Sequence, residues 1–174
     1  GIPGSDCHYP TSRLESAGGL DVTEIIVLIS SPRDRIYLMD KKFSPQQPIG
    51  MFDSGVGGLS VLRAVRSELP NEDVLYLADQ AHIPYGPKSK KKIRWFAIEI
   101  TRFLLDRGAK LIVVACNAAS AAALHELREM FPSVPIVGME PAVKPAAERT
   151  HTGKVGVLAT PTTFAGDLYA SVVE

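Results

Sequence analysis

From Ile49 onward, five short apolar runs alternate with stretches of helical period: Ile49 to Phe52, Val74 to Leu77, Leu111 to Ala115, Ile136 to Gly138 and Val155 to Ala159. Runs this short, without a polar residue at every second position, read as strands buried on both faces rather than strands with one wet side. The intervening stripes have helical spacing. Leu59, Leu62, Val65 and Leu69 mark one, and Ile93, Phe96, Ala97, Ile100, Phe103 and Leu104 a second, with Ser89 as its N-cap and Gly108 as its stop. Ala119, Ala122, Ala123, Leu127 and Met130 mark a third, whose small residues permit close packing on a sheet. Strand–helix alternation predicts an α/β fold, a parallel sheet with helices on both faces. In such sheets ligands bind beyond the carboxyl ends of the strands, so the residues following each strand matter most.

The remaining 47 residues at the front read differently. Gly1 to Gly19 is rich in Gly, Pro and Ser and carries no period, Glu24 to Ser30 and Arg35 to Met39 read as short strands about a Ser31-Pro32-Arg33-Asp34 turn, and Phe43 to Pro48 reads as a linker. The expected organisation is therefore a leader over 1–47 and one α/β domain over 48–174. Nineteen basic residues balance nineteen acidic ones, so no overall field attracts nucleic acid or an anionic membrane. No apolar run approaches the roughly 18 to 20 residues that cross a bilayer, and no secretory signal is evident. Two cysteines in unlike contexts, Cys7 and Cys116, suggest no disulfide framework and fit a reducing cytoplasm.

Four strand ends carry chemistry. Cys116 stands where a buried strand turns into a helix, and the helix amino end there favours a thiolate. The competing reading is a small buried hydrophobe closing a strand. Metal binding at Cys116 is weaker still, because no second ligand stands at a suitable spacing. Asp53-Ser54-Gly55-Val56-Gly57-Gly58 offers a tight turn and helix N–H groups for an anion, or simply a capped turn; it has neither Walker nor dinucleotide spacing. Asp79 to Lys88 is a long polar connection in which Tyr85 offers a hydroxyl and Gly86 an N–H, with His82 a weaker candidate base. The Lys88, Lys90, Lys91 and Lys92 run reads as a solvated face. Asn117 and Ser120 follow Cys116, and Thr160-Pro161-Thr162-Thr163 follows the fifth run. His125 and His151 read as structural or exposed. Together these groups suit a small carboxylate-bearing ligand held beside a reactive sulfur.

Gly-Met-Phe-Asp-Ser-Gly-Val-Gly-Gly-Leu-Ser, Ile-Pro-Tyr-Gly-Pro-Lys-Ser, Val-Ala-Cys-Asn-Ala-Ala-Ser-Ala and Gly-Val-Leu-Ala-Thr-Pro-Thr-Thr occur in this order between Pro48 and Tyr169. In these segments the chain resembles the glutamate racemases of the aspartate/glutamate racemase superfamily. The resemblance implies one half of a fold in which two α/β domains face each other across a cleft, each supplying a cysteine. It implies interconversion of L- and D-glutamate by two-thiol proton transfer without cofactor or metal, serving peptidoglycan biosynthesis and cell shape in the cytoplasm. It also implies glutamate as the small-molecule partner and a homodimer. By the same resemblance Cys116 is the first catalytic thiol and Asp53 tunes or relays its proton. Substrate-contacting positions are Asp53, Ser54, Tyr85, Gly86, Asn117, Ala118, Thr160 and Thr163. Ala118 stands where threonine is common, which removes a hydroxyl but keeps the N–H. Cys7-His8-Tyr9-Pro10 is similar to the second-domain Gly-Cys-Thr-His-Tyr-Pro motif without its threonine, and residues 11–47 do not otherwise match that half. The sequence, ending at Glu174 inside a helical pattern, therefore reads as a first catalytic half with impaired activity. An aspartate or hydantoin racemase, or a non-catalytic binding or regulatory fragment, are the alternatives.

Overall fold

The computed structural model describes residues 43–165. Cys7 and the strands expected over 24–30 and 35–39 lie outside the described residues. The elements are β1 (Ile49–Asp53), α1 (Leu59–Glu68), β2 (Val74–Ala78), a 3-10 turn (Gln80–His82), α2 (Lys90–Asp106), β3 (Leu111–Val114), α3 (Asn117–Met130), β4 (Ile136–Gly138), α4 (Val143–Arg149) and α5 (Pro161–Phe164). The sheet runs β2-β1-β3-β4 and every pairing is parallel.

Register explains the two cores. Met51 pairs with Tyr76 and Val113, while Phe52 pairs with Leu77 and Val114. Because side chains alternate along a strand, the first set faces one side and the second the other. Ile49, Met51, Tyr76 and Val113 gather with Val61, Leu62 and Val65 of α1. Phe52, Leu77, Ile112 and Val114 gather with the inner faces of α2 and α3. The expected double-sided cover is present.

α2 begins where Ser89 accepts a hydrogen bond from Lys92 N at 3.3 Å. It ends at Gly108, whose φ of +89° is the left-handed conformation glycine tolerates. There Ala109 N donates to Leu104 O at 3.1 Å and Gly108 N to Leu105 O at 3.0 Å, capping the last turn. The stripe of α1 is only half realised. Leu59 and Leu69, its first residue and C-cap, stay exposed, because a terminal turn has neighbours on one side only.

Thr101 on α2 is fully buried, and its Oγ1 is the one buried side-chain polar atom without a hydrogen-bond partner among the described residues. Burying an unsatisfied hydroxyl costs free energy that an isosteric methyl does not. Thr101→Val is therefore expected to raise stability by about 1 kcal/mol. A higher urea midpoint at unchanged slope is the result to look for.

The fifth expected strand is absent. Val155 to Ala159 takes no place in the sheet, and Leu158 is fully exposed at 103%. An apolar run becomes a strand only where an edge supplies N–H and C=O partners, and among the described residues none does so here. Two short helices instead frame this stretch, α4 before it and α5 after it.

Candidate functional site

The carboxyl ends of β1, β2 and β3 converge as expected. At the end of β1, Asp53 is buried and its Oδ2 accepts the Gly58 N–H at 2.8 Å, closing the glycine turn onto α1. At the end of β3, Cys116 is the N-cap of α3, and its Sγ accepts from Ala119 N at 3.4 Å. The thiol also reaches Ser54 Oγ at 3.5 Å.

The expectation that the helix end favours a resting thiolate is not met. Burial pushes the Cys116 thiol above its ordinary value of 9.0. The Ser54 hydroxyl and the Ala119 N–H oppose that shift, while the Asp53 charge adds to it. Removing a sulfur anion from water outweighs the hydrogen bonds from Ser54 and Ala119, so the thiol is neutral at neutral pH.

At the end of β2 the polar connection folds back on itself. Tyr85 is buried and its hydroxyl donates to Asp79 Oδ2 at 2.6 Å. Burial, then the Asp79 charge and this bond, push the phenol far above its ordinary range. The proton that the sequence reading offers to a ligand is thus committed to Asp79, although Tyr85 lines the cavity. His82 is no wall residue: its Nδ1 lies 2.7 Å from Asp79 Oδ1, and its ring stacks on Phe96 at 4.0 Å. The candidate-base reading of His82 therefore has no support in the geometry.

α5 closes another side. Thr160 caps it, with Thr163 N donating to Thr160 Oγ1 at 3.4 Å, and Thr162 Oγ1 donates to Gly86 O at 2.8 Å. Gly86 lies tight against Thr160, and a Cβ there would stand 3.1 Å from Thr160 Cβ and Cγ2.

These groups border one cavity of about 870 Å³. Ser54, Cys116, Asn117 and Ala118 line it from β1 and α3, and Tyr85, Gly86, Thr160 and Thr163 from the loop and α5. Of the expected substrate-contacting set, only Asp53 is missing from the wall; it sits behind, beneath Gly58. Ser120 is structural, with its Oγ donating to Val114 O at 3.1 Å and accepting from Met139 N at 2.9 Å, which ties the ends of β3 and β4. Sequence reasoning passed over Met139, Glu140 and Val143, which also line the cavity. The strand-end rule, applied to β4 as to the others, finds them. Among the described residues, Glu140 carries the only formal charge of the lining side chains. Lys88 and Lys90 are turned to backbone carbonyls, Pro84 O at 2.9 Å and Ala165 O at 2.6 Å.

Known proteins resemble this chain in sequence and fold. The family model described as Asp/Glu/hydantoin racemase matches residues 57–174. A glutamate racemase of Roseiflexus sp. is 61% identical over 128 residues, covering 74% of this chain and 47% of that protein. The crystal structure of glutamate racemase from Thermus thermophilus in complex with β-chloro-D-alanine superposes with a TM-score of 0.65 at 50% identity, covering 74% of this chain and 49% of that one. The Escherichia coli enzyme, solved in complex with L-glutamate and the activator UDP-MurNAc-Ala, gives 0.67 at 42% identity over 73% of this chain and 48% of that one. The chain spans about half the length of the curated relatives it matches. On the family match and on these likenesses in sequence and fold, this chain belongs to the Asp/Glu/hydantoin racemase family.

Proposed function

We propose that residues 48 onward form the first α/β half of a cofactor-independent glutamate racemase, with Cys116 as the acid–base group for one face of the substrate. The observation that carries this reading is the placement of the Cys116 sulfur, at the start of α3, 3.5 Å from Ser54 Oγ and lining the same cavity as Gly86 and Thr160. The α-proton of an amino acid is weakly acidic, so its base must be close, desolvated and aligned. Cys116 is buried to 6% exposure, which meets the second requirement. In the forward step the thiolate takes the α-proton, the C–H electron pair delocalises into the substrate carboxylate, and Cys116 becomes a thiol. First-turn N–H groups of α3, which have no acceptor within the helix, suit that developing charge. Return of a proton to the opposite face needs a second acid, and among the described residues the cavity carries one thiol.

Binding of L-glutamate by the Escherichia coli relative supports the choice of substrate. On the same reading the D-glutamate serves peptidoglycan synthesis in the cytoplasm, and the protein works as a dimer.

Wild-type protein incubated with L- or D-glutamate in deuterated water is expected to exchange the α-hydrogen of one enantiomer. The rate should climb with pH from neutrality to beyond 9.0, because burial raises the thiol and deprotonation precedes each turnover. The matching stability trend runs the other way: the neutral thiol's contribution is complete below the ordinary thiol pKa and is lost as pH rises through the higher folded value. Proton NMR of the α-position measures the exchange, and chiral chromatography measures inversion. Faster exchange of aspartate would transfer the reading to an aspartate racemase. Glutamate binding without exchange would favour a non-catalytic binding role, and neither binding nor exchange would remove the proposal.

A further inference from the structure

We infer that Asp79 is a positioning residue which, with His82, sets the substrate-facing turn Tyr85-Gly86; the inference rests on the function proposed above. Asp79 is only 5% exposed and does not touch the cavity. Each of its carboxylate oxygens is nonetheless occupied: Oδ2 accepts the Tyr85 hydroxyl at 2.6 Å, and Oδ1 lies 2.7 Å from His82 Nδ1. Its own N–H donates to Asp53 O at 2.9 Å, which ties it to the end of β1. Phe96 of α2 backs both partners, with ring centroids 4.0 Å from His82 and 5.6 Å from Tyr85.

The network leads to the wall. Lys88 N closes the turn on Tyr85 O at 2.9 Å, and the next carbonyl, Gly86 O, accepts Thr162 Oγ1 at 2.8 Å. Moving the Tyr85 ring therefore moves Gly86 relative to Thr160, whose side chain leaves little room even for a Cβ at that position. Apolar side chains of similar volume would hold a core as well as a buried carboxylate does. What the charge-assisted bonds add is direction, since they fix the phenol along one line. This role differs from that of Asp53, whose carboxylate holds the Gly58 turn.

The test compares wild-type, Asp79→Asn and His82→Ala proteins in two measurements. The first, without substrate, is hydrogen exchange at the Lys88 amide, with the Ala115 and Ile112 amides of the sheet as internal reference. Asp79→Asn is expected to speed Lys88 exchange about tenfold, the cost of one charge-assisted bond, and to leave the reference amides unchanged. His82→Ala, which removes one donor and leaves the cavity wall intact, should give the same pattern at about threefold. The second measurement is glutamate α-hydrogen exchange against concentration: the half-saturating concentration should rise about tenfold in Asp79→Asn, with the saturated rate within about threefold. Unchanged Lys88 exchange in both variants overturns the inference. So does uniform loss of protection across the sheet, which marks a merely structural role, or a fall in saturated rate at constant half-saturation. Failure of the function itself shows separately, as a wild-type protein inert toward glutamate, while the Lys88 measurement still decides whether Asp79 holds the turn.

Discussion

Cys116→Ser protein is expected to exchange the glutamate α-hydrogen about 10²–10⁴-fold more slowly than wild type while keeping its stability. A hydroxyl in the same place is a far weaker acid than a thiol, and the fraction ionised at neutral pH becomes negligible. The fold should not suffer, because Cys116 is the N-cap of α3 and serine is a preferred residue at that position. Its oxygen can accept from Ala119 N as Sγ does now at 3.4 Å. Glutamate affinity measured by titration calorimetry should stay within a few-fold of wild type on the same argument. Retained exchange in a folded Cys116→Ser protein would remove Cys116 from the chemistry, whatever the family suggests. Loss of exchange together with loss of helix content would leave folding, not catalysis, as the cause.

The largest effect on stability is expected from Gly58→Ala. A methyl built there would stand 2.7 Å from Asp53 Cβ, 2.7 Å from Tyr76 Oη and 3.1 Å from Ala115 Cβ. None of these is the loose end of a flexible chain: Asp53, Tyr76 and Ala115 are all buried. Relief requires the glycine turn to lift away from the sheet, which stretches the 2.8 Å bond from Gly58 N to Asp53 Oδ2. Overpacking of a buried site costs about 1–3 kcal/mol, and partial loss of the carboxylate bond places this case at the upper end. Tyr76→Phe in the same protein removes one of the two closest contacts and should recover part of the loss. The wild-type Tyr76 hydroxyl, 3.4 Å from Gly55 O and pushed up to about 12 chiefly by burial, stays neutral, so its removal changes no charge. Urea denaturation of the two single variants and the double variant measures the recovery; a Gly58→Ala protein as stable as wild type would show that the turn is not pinned.

Much of the layout was legible in the chain because it rests on local periodicity. The β1, β2, β3 and β4 runs and the α2 stripe needed only the contrast between short apolar runs and 3.6-residue spacing. The Ser89 cap and the Gly108 stop are local chemistry of the same kind. Most of the site was legible for a related reason: in a parallel sheet, position in sequence after a strand is also position in space above it. Ser54 and Cys116 line one cavity because each follows a strand of the sheet; Thr160 joins them from α5, although the run before it does not enter the sheet.

Apart from the residues after β4, which the strand-end rule reaches, the misses are non-local. Val155 to Ala159 has a strand's composition, but pairing is a property of two segments, and no described segment pairs with it. The sequence offers the His82 ring and the Tyr85 hydroxyl to a ligand, whereas Asp79 bonds to both, and Tyr85 lines the cavity with its proton already committed. No period or spacing announces that bond, because it depends on where the end of β2 stands relative to the loop that follows. The acidity of Cys116 belongs to the same class. Its helix-end position is written in the sequence, but the desolvation that raises the thiol comes from the neighbours packed around it.

The amino-acid sequence by itself determined the strand–helix order, the caps and the residues delivered to the carboxyl edge of the sheet, since each depends on neighbours along the chain. Tertiary structure alone decided which of those side chains face the cavity, which are spent on one another and how reluctantly the sulfur ionises. Those outcomes depend on distance and exclusion of water, quantities that exist only once remote segments are packed together.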